Sequence, residues 1–155
     1  MMSELKAYPG FKLVKNRGIT AIIVNSGKVL VLKRISLPFH RYSGIWTFVS
    51  GGTEKVESFE ESAYREIGEE VRIGKQELVL LAKYPRVLKF EANSRAIYPD
   101  ALFVFNSKTR KIRLNFEHTA YRWASVADIA LERRYTNTFA DPAFILKVIR
   151  KALER

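Results

Sequence analysis

The sequence predicts a single domain of mixed α and β structure. Several short apolar or β-branched runs are typical of strands, whereas the stretch from Ser58 to Val71 has an apolar residue at every fourth position and predicts a helix. The 155 residues suit one domain with enough chain to bury a core. Because no repeat, linker or low-complexity tract divides the chain, we expect residues 1–155 to form one unit.

The composition narrows the class of protein. A hydrophobic content of 47% with 28% charged residues is that of a soluble globular domain. The absence of Cys excludes disulfides, thiol catalysis and Cys-ligated zinc, and fits a reducing cytoplasm. No signal peptide or membrane span is recognisable, so we expect a cytoplasmic protein without a membrane partner.

The net charge of +11 favours a polyanionic ligand such as the phosphate chain of a nucleotide. No run of Lys and Arg exceeds two consecutive residues. We therefore expect cations spread over the surface and no dedicated nucleic-acid groove.

Strands are predicted on both sides of the helix. Those before it are Phe11–Lys15, Ile19–Val24, Lys28–Lys33 after an Asn-Ser-Gly turn, and Ile45–Val49, which leads into a Gly51-Gly52 turn. Those after it are Glu77–Lys83, Val87–Ala92 beyond a break at Tyr84-Pro85, and Ala101–Asn106. Ser125 is expected to cap a short helix, and Asp141-Pro142 to precede a terminal helix over Ala143–Leu153.

The central helix has two predicted faces. Ser58 with Glu61 three residues later is a capping box, and Phe59, Ala63 and Ile67 form a predicted core-facing stripe. Seven of the 16 acidic residues of this basic chain lie at positions 54–70. Acid of that density in and just before one helix predicts either a solvated charged face or a site.

Three of these carboxylates are spaced for a common target. Glu66, Glu69 and Glu70 stand at i, i+3 and i+4, which places them on one helix face about 5–6 Å apart at Cβ. Like charges at that separation repel unless a cation lies between them, and hard oxygen ligands select Mg²⁺ or Mn²⁺ over zinc. The alternative is a solvated face with pairs such as Glu61 with Arg65.

The order of residues in this stretch decides between these alternatives. Its fixed positions are Gly51, Glu57, Arg65, Glu66, Glu69 and Glu70, and its two apolar positions are Ile67 and Ile73. This pattern resembles the Nudix box of the Nudix hydrolases, the MutT-like nucleoside polyphosphate hydrolases. The departure is Arg72, where the family usually has a second glycine, and we expect Gly74 to supply the left-handed residue that ends the helix.

The resemblance implies a fold and a ligand set. The fold is α/β (α+β), an α/β/α sandwich with a central mixed sheet. The implied metal ligands are Glu66, Glu69 and Glu70 with the Gly51 carbonyl, and the implied cofactor is Mg²⁺, with Mn²⁺ as a substitute. Arg65 would pair with a carboxylate and hold the box in shape.

The resemblance also implies catalytic residues. Glu57 is the expected partner of Arg65. The general base that takes a proton from the attacking water is either Glu66 or Glu117, which begins a Glu-His…Trp segment similar to one found in nucleotide-cleaving Nudix enzymes. For His118, an exposed loop position is an equally good interpretation.

The implied activity is hydrolysis of a phosphoanhydride bond in a nucleoside triphosphate or dinucleoside polyphosphate. The alternatives are a pyrophosphatase of ADP-ribose or a nucleotide sugar, an enzyme acting on an RNA 5′ end, and a nucleotide sensor without turnover. The intact box argues against the sensor, because such modules usually lose box glutamates. A nucleotide is the expected partner, and since many family members are dimers a homodimer is an open alternative.

Some further residues are candidates for the pocket wall. The aromatic candidates for a base clamp are Phe39, Tyr42, Trp46, Tyr84 and Tyr98, with Trp123 expected in the core. The cations within reach of a phosphate chain are Arg34, Arg41, Lys83 and Arg86. Residues 135–139 are a candidate loop over the base.

Overall fold

The computed structural model describes residues 8–15, 18–38, 43–91 and 95–155. Its strands are β1 (Lys12–Leu13), β2 (Gly18–Asn25), β3 (Lys28–Arg34), β4 (Trp46–Thr47), β5 (Val49–Gly52), β6 (Leu78–Glu91), β7 (Ala96–Ser107) and β8 (His118–Ser125). Its helices are α1 (Phe59–Val71), α2 (Val126–Leu131) and α3 (Pro142–Leu153). The candidate pocket residues Phe39, Arg41 and Tyr42 lie outside the described residues, as does the predicted strand end at Ala92.

The strands form one mixed sheet. β7 pairs in parallel with β1 and with β2, and it pairs antiparallel with β6. β3 pairs antiparallel with β4 and β8. The mixed sheet predicted by the family resemblance is therefore confirmed.

The sheet splits where β3 leaves β2. These two strands pair only near their hairpin, at Val24 with Val29 and at Asn25 with Lys28. At the other end of β2, β5 takes the position beside it, and Gly18 lies opposite Gly52. The split leaves an opening between the end of β3 and the end of β5, and the candidate site lies there.

Helices cover both faces of the sheet, because β2 and β7 alternate side chains between two cores. On one face Ile23 and Phe103 pack with Ile67 of α1. On the other face Ile22 and Leu102 belong to the core that contains α2 and α3. This arrangement is the predicted α/β/α sandwich.

Local capping signals in the sequence are confirmed. The Ser58 side chain accepts a hydrogen bond from the Glu61 N–H, and the Glu61 carboxylate accepts one from the Ser58 N–H. Ser125 caps α2 in the same way, and Asp141 caps α3. The predicted stripe on α1 is wrong at its first residue, because Phe59 is 38% exposed at the helix start, whereas Ala63 and Ile67 are buried.

Two predicted breaks are absent. Gly51 and Gly52 continue β5 and pair with β2, so they are not a turn. β6 runs through Tyr84-Pro85, where its pairing with β7 shifts register between Tyr84 and Val87. A β-bulge tolerates a proline because an extra residue there makes no ladder hydrogen bond.

The expected end of α1 at Gly74 is wrong. Arg72 itself is the left-handed residue, with φ 59° and ψ 34°, whereas Gly74 is extended with φ −77° and ψ 155°. The helix therefore ends where the family glycine would end it, with an arginine in a conformation that costs a residue with a Cβ about 1–2 kcal/mol.

We expect Arg72→Gly to raise the free energy of unfolding by about 0.5–1 kcal/mol, since glycine removes the left-handed strain but gains freedom in the unfolded chain. Urea denaturation with an unchanged m-value measures the effect. Arg72→Ala is the matched control because it removes the charge and keeps the Cβ. Equal changes in the two variants would contradict the backbone explanation.

Candidate active site

Arg65 is the organising side chain of the carboxylate face of α1. Its Nε lies 2.6 Å from Glu57 Oε1, and its Nη1 lies 2.8 Å from Glu66 Oε1 and 3.3 Å from Glu69 Oε2. Its Nη2 donates to the Gly52 carbonyl at 2.8 Å. One guanidinium thus ties the helix to β5 and to the loop between them, and the predicted pairing of Arg65 with Glu57 is present.

These contacts shift the pKa values of both partners. The Arg65 hydrogen bond, followed by one from Ser62, lowers the pKa of Glu57 from 4.5 to about 2. The Glu57 hydrogen bond raises the pKa of Arg65 above its ordinary value. The loop after β5 therefore carries a permanently charged ion pair at neutral pH.

Glu66 packs directly against Gly51. A Cβ at position 51 would lie 2.1 Å from both Cδ and Oε1 of Glu66, so no larger residue fits beside this carboxylate. Burial raises the pKa of Glu66 from 4.5 to about 7, although Arg65 opposes the shift. The family glycine is thus required here by space.

Glu70 differs from Glu66 and Glu69 in being almost completely buried. It is 1% exposed, and its Oε2 lies 3.0 Å from His118 Nε2. Burial raises its pKa, against the effect of His118. His118 is 5% exposed, so the interpretation of an exposed loop histidine is wrong.

Glu117, the residue before β8, lies close to Glu70 and His118. Ligand atoms of Glu70, Glu117 and His118 all lie within 4.8 Å of one another. The Glu117 carboxylate also lies 3.7 Å from Arg34 Nη2, and its side chain is 37% exposed. Sequence reasoning named Glu117, but the contact between positions 70 and 118 depends on a loop path that spacing does not reveal.

An open cavity of about 380 Å³ connects these residues. Of the predicted site residues, Gly51, Glu66, Glu69 and Glu117 line it, whereas Glu70 lies beside Glu117. Its other walls are formed by β2, β3, β4 with the residue before it, β5, β6, β7 and the segment before α3. The residues are Gly18, Ile19, Arg34, Ile45, Thr47, Ser50, Gly52, Lys89, Tyr98, Asp100 and Thr138.

The candidate wall residues divide between pocket and core. Tyr98 and Arg34 line the cavity as proposed. Trp46 packs edge-on to Tyr135. The remaining candidates have other surroundings: Tyr84 packs against Phe144, Lys83 pairs with Glu60, Arg86 lines a separate cavity, and Trp123 packs beside the core under α1.

Several pocket residues were not predicted from the sequence, and three polar ones matter for the chemistry. Lys89, Asp100 and Thr138 come from β6, β7 and the loop before α3. Thr138 lies in the candidate loop of residues 135–139, so the sequence indicated the segment but not the residue. Lys89 and Asp100 become neighbours through a strand register that the sequence pattern does not fix.

The carboxylate end of the cavity fits a hard divalent cation. Within the described residues, Glu70 Oε1 and His118 Nδ1 are buried polar atoms without a hydrogen-bond partner. The Glu66 carboxylate occupies the space that a Cβ at position 51 would take. Carboxylate oxygens are the donors that such cations prefer, and an unpartnered buried oxygen indicates that the protein alone does not satisfy them.

A family model that describes the NUDIX domain matches residues 14–145. The chain therefore belongs to the NUDIX domain family, which confirms the resemblance seen in the box. The RNA pyrophosphohydrolase of Campylobacter jejuni is 31% identical over 84 residues, which cover 51% of this chain and 49% of that protein. The chain thus spans about half the length of the curated relatives it matches.

Solved structures agree on the fold. A MutT protein from Methanosarcina mazei has a TM-score of 0.68 at 21% identity, with 94% of this chain and 99% of that chain covered. A MutT NUDIX hydrolase from Burkholderia pseudomallei has a TM-score of 0.63 at 24% identity, covering 91% and 97%. Among the helices described, none has the length and apolar character needed to cross a membrane.

The raised pKa of Glu66 predicts a pH-dependent stability in metal-free protein. Because the pKa rises from 4.5 to about 7 on folding, the folded state binds more protons between these values, so the free energy of unfolding falls as the pH rises through this range. Glu66→Gln should therefore be more stable than the parent at pH 8, by about 1 kcal/mol after the loss of the Arg65 contact, and no more stable at pH 4.5.

Chemical denaturation in EDTA at the two pH values measures this difference. Glu69→Gln is the matched control, because Glu69 also contacts Arg65 but its side chain is 54% exposed. A Glu66→Gln protein that is less stable than the parent at pH 8 would show that the Arg65 contact outweighs burial.

Proposed function

We propose that this protein is a Mg²⁺-dependent hydrolase that cleaves a phosphoanhydride bond in a nucleoside polyphosphate, either a nucleoside triphosphate or a dinucleoside polyphosphate. Mn²⁺ is the expected substitute metal. Membership of the NUDIX domain family and the complete set of box carboxylates support hydrolysis. The Glu117-His118 segment on the pocket side supports a nucleotide substrate of this class.

One observation carries the proposal. Glu66, Glu69 and Glu117 line the same cavity as Gly51 and Arg34, with Glu70 buried next to Glu117. Carboxylates that converge on a cavity in a protein of net charge +11 are a binding arrangement for a cation and an anion together. A solvated helix face would have left Glu66 and Glu70 in water, whereas their side chains are 12% and 2% exposed.

The residues divide the chemistry among them. Glu66, Glu69 and Glu70, with the Gly51 carbonyl, would hold Mg²⁺, which when bound neutralises phosphate charge and lowers the pKa of water. Arg34, at the end of β3, is placed to pair with phosphate oxygens. Arg65 positions the box carboxylates and touches no substrate.

We propose Glu117 as the general base. Glu66 is the other candidate, but it is packed against Gly51 and accepts a hydrogen bond from Arg65, which suits a fixed ligand. Glu117 is partly exposed, lines the cavity and lies 3.7 Å from Arg34. A proton acceptor must reach the attacking water, and the Glu117 carboxylate has that freedom.

The triphosphorylated 5′ end of an RNA is a second candidate substrate. The relatives matched over about half their length are named RNA pyrophosphohydrolase. The bond cleaved would be of the same chemical kind, and the net charge of +11 would favour a longer polyanion.

A turnover screen with Mg²⁺ tests the proposal. Nucleoside triphosphates, dinucleoside polyphosphates, ADP-ribose, nucleotide sugars and triphosphorylated RNA are offered separately, and products are identified by mass. We expect turnover of the first or second group, or of RNA for the second candidate, that EDTA abolishes and that Glu69→Gln or Glu70→Gln lowers by about 100-fold or more.

Glu60→Gln is the matched control for these variants. Glu60 lies on the same helix but pairs with Lys83, away from the cavity. Nucleotide binding without turnover of any compound would refute the enzyme and favour a sensor, and turnover confined to ADP-ribose or nucleotide sugars would replace the substrate class.

Gly51→Ala tests whether the packing of Glu66 against Gly51 is needed for activity, because it adds one methyl group and no charge. The added Cβ would overlap the Glu66 carboxylate at 2.1 Å, so we expect it to displace that carboxylate and lower turnover about 10-fold to 100-fold. Gly68→Ala is the matched control, because a Cβ there meets no atom within 4 Å, and it should retain activity and gain about 1 kcal/mol of helix stability. Full activity in Gly51→Ala would refute the packing argument.

A further inference from the structure

The cavity has a second polar end, on the opposite side of the sheet from the box carboxylates. Asp100 has the same orientation along β7 as Leu102, which packs in the core under α3. Glu66 lies on α1, which covers the other face. Both residues nevertheless line one cavity. The cavity therefore passes around the ends of the strands.

Glycines form the passage between the two ends. Gly18 pairs with Gly52 on one side and with Asp100 on the other, so Gly52 and Asp100 lie two strand spacings, about 10 Å, apart. No side chain from Gly18 or Gly52 obstructs this edge. A ligand with one end among the carboxylates reaches Asp100 with its other end.

A buried ion pair marks the second end. Lys89 Nζ lies 3.5 Å from Asp100 Oδ2, and the two side chains are 13% and 6% exposed. The Thr20 hydroxyl donates to the same oxygen at 3.0 Å. Among the described residues, Lys89 Nζ lies 3.5 Å from Asp100 and 3.5 Å from Thr20, and 5.5 Å from the centre of the Phe139 ring, so these long contacts do not use up its donor capacity.

A strand irregularity places this pair. The bulge in β6 aligns Tyr84 with Leu102 but Val87 with Asp100, so one extra residue reverses which side chains face the α3 core. Beyond the bulge, Lys89 shares the face of Asp100. The segment before α3 also holds this part of β6 in place. The Phe90 N–H donates to the Thr138 carbonyl, and the backbones of Lys89 and Phe139 form a β-bridge.

The charges of this pair exclude a phosphate as its ligand. A phosphate beside Lys89 would also lie beside the Asp100 carboxylate, and like charges at that distance repel. A neutral group that accepts from the ammonium and donates to the carboxylate satisfies both. A nucleobase edge with a carbonyl oxygen next to a ring N–H, as in guanine and uracil, has that arrangement, and lysine commonly donates to the guanine carbonyl.

We propose that Lys89 and Asp100 form the subsite that recognises the base of the substrate, with Lys89 donating to a base carbonyl and Asp100 accepting from the adjacent N–H. This proposal rests on the proposed function. Guanine and uracil nucleotides are the expected substrate class, in preference to those of adenine and cytosine. Thr20 is a positioning residue that holds Asp100.

The test compares base-containing and base-free ligands. Values of kcat/KM are measured for GTP, UTP, ATP and CTP, and tripolyphosphate is used as a base-free competitive inhibitor. We expect the parent to prefer GTP and UTP. Lys89→Met and the double variant Lys89→Met with Asp100→Asn should lower kcat/KM for GTP by about 10-fold or more and remove the preference, with the inhibition constant of tripolyphosphate unchanged within about twofold.

The double variant leaves no unpaired buried charge and so protects the fold. Lys83→Met, on the same strand with its side chain 67% exposed, is the matched control. An equal loss of tripolyphosphate inhibition, unchanged kcat/KM for GTP in both variants, or a parent preference for ATP would overturn the proposal.

Failure of the proposed function is recognised separately. If the parent hydrolyses none of the four nucleotides, displacement of a fluorescent GDP analogue by GDP and ADP replaces turnover. Tighter binding of GDP that is lost in Lys89→Met would support the subsite although hydrolysis had failed. Equal affinity for GDP and ADP in the parent would refute it.

Discussion

The site depends on one guanidinium that is shared among carboxylates. Arg65 reaches Glu57, Glu66 and Glu69 and also the backbone of Gly52, so it fixes helix α1 against β5 at the point where acidic residues are most crowded. Without it these carboxylates would repel one another at short range. A planar group with donors in a fixed fork holds several acceptors in a defined geometry, which lysine cannot do.

The sheet supplies the second constraint, through its split. β3 leaves β2 after the hairpin, and β5 fills the place beside β2, so strand ends instead of strand faces border the cavity. Gly18, Gly51 and Gly52 meet at this border. Space is therefore provided by glycines at strand ends, and the same feature connects the two faces of the sandwich.

Local signals in the sequence were sufficient for much of this architecture. The capping box of Ser58 and Glu61 and the spacing of the α1 carboxylates involve residues within one or two helical turns, so the pattern determines the contact. The left-handed residue is Arg72 and not Gly74, because tertiary packing can impose a strained conformation that the preference for glycine does not predict.

Contacts between distant segments could not be predicted in the same way. The pairing of Glu70 with His118 spans 48 positions and depends on the loop before β8. Lys89 faces Asp100 only because the bulge near Pro85 shifts the register of β6, and a shift of one residue reverses every later side chain. Alternation in the sequence alone would have placed Lys89 on the wrong face.

The burial of acid in this basic protein is itself an argument about function. The chain carries 27 Lys and Arg residues against 16 Asp and Glu, so a cation could have been placed beside every carboxylate. Yet Glu70 is 1% exposed with a histidine as its partner, and its second oxygen has none among the described residues. Burying a carboxylate in this way costs stability unless another charge joins it. The proposed metal ion would supply the positive charge that Glu70 lacks. The carboxylates that weaken the metal-free fold would then be the ones that bind the cation.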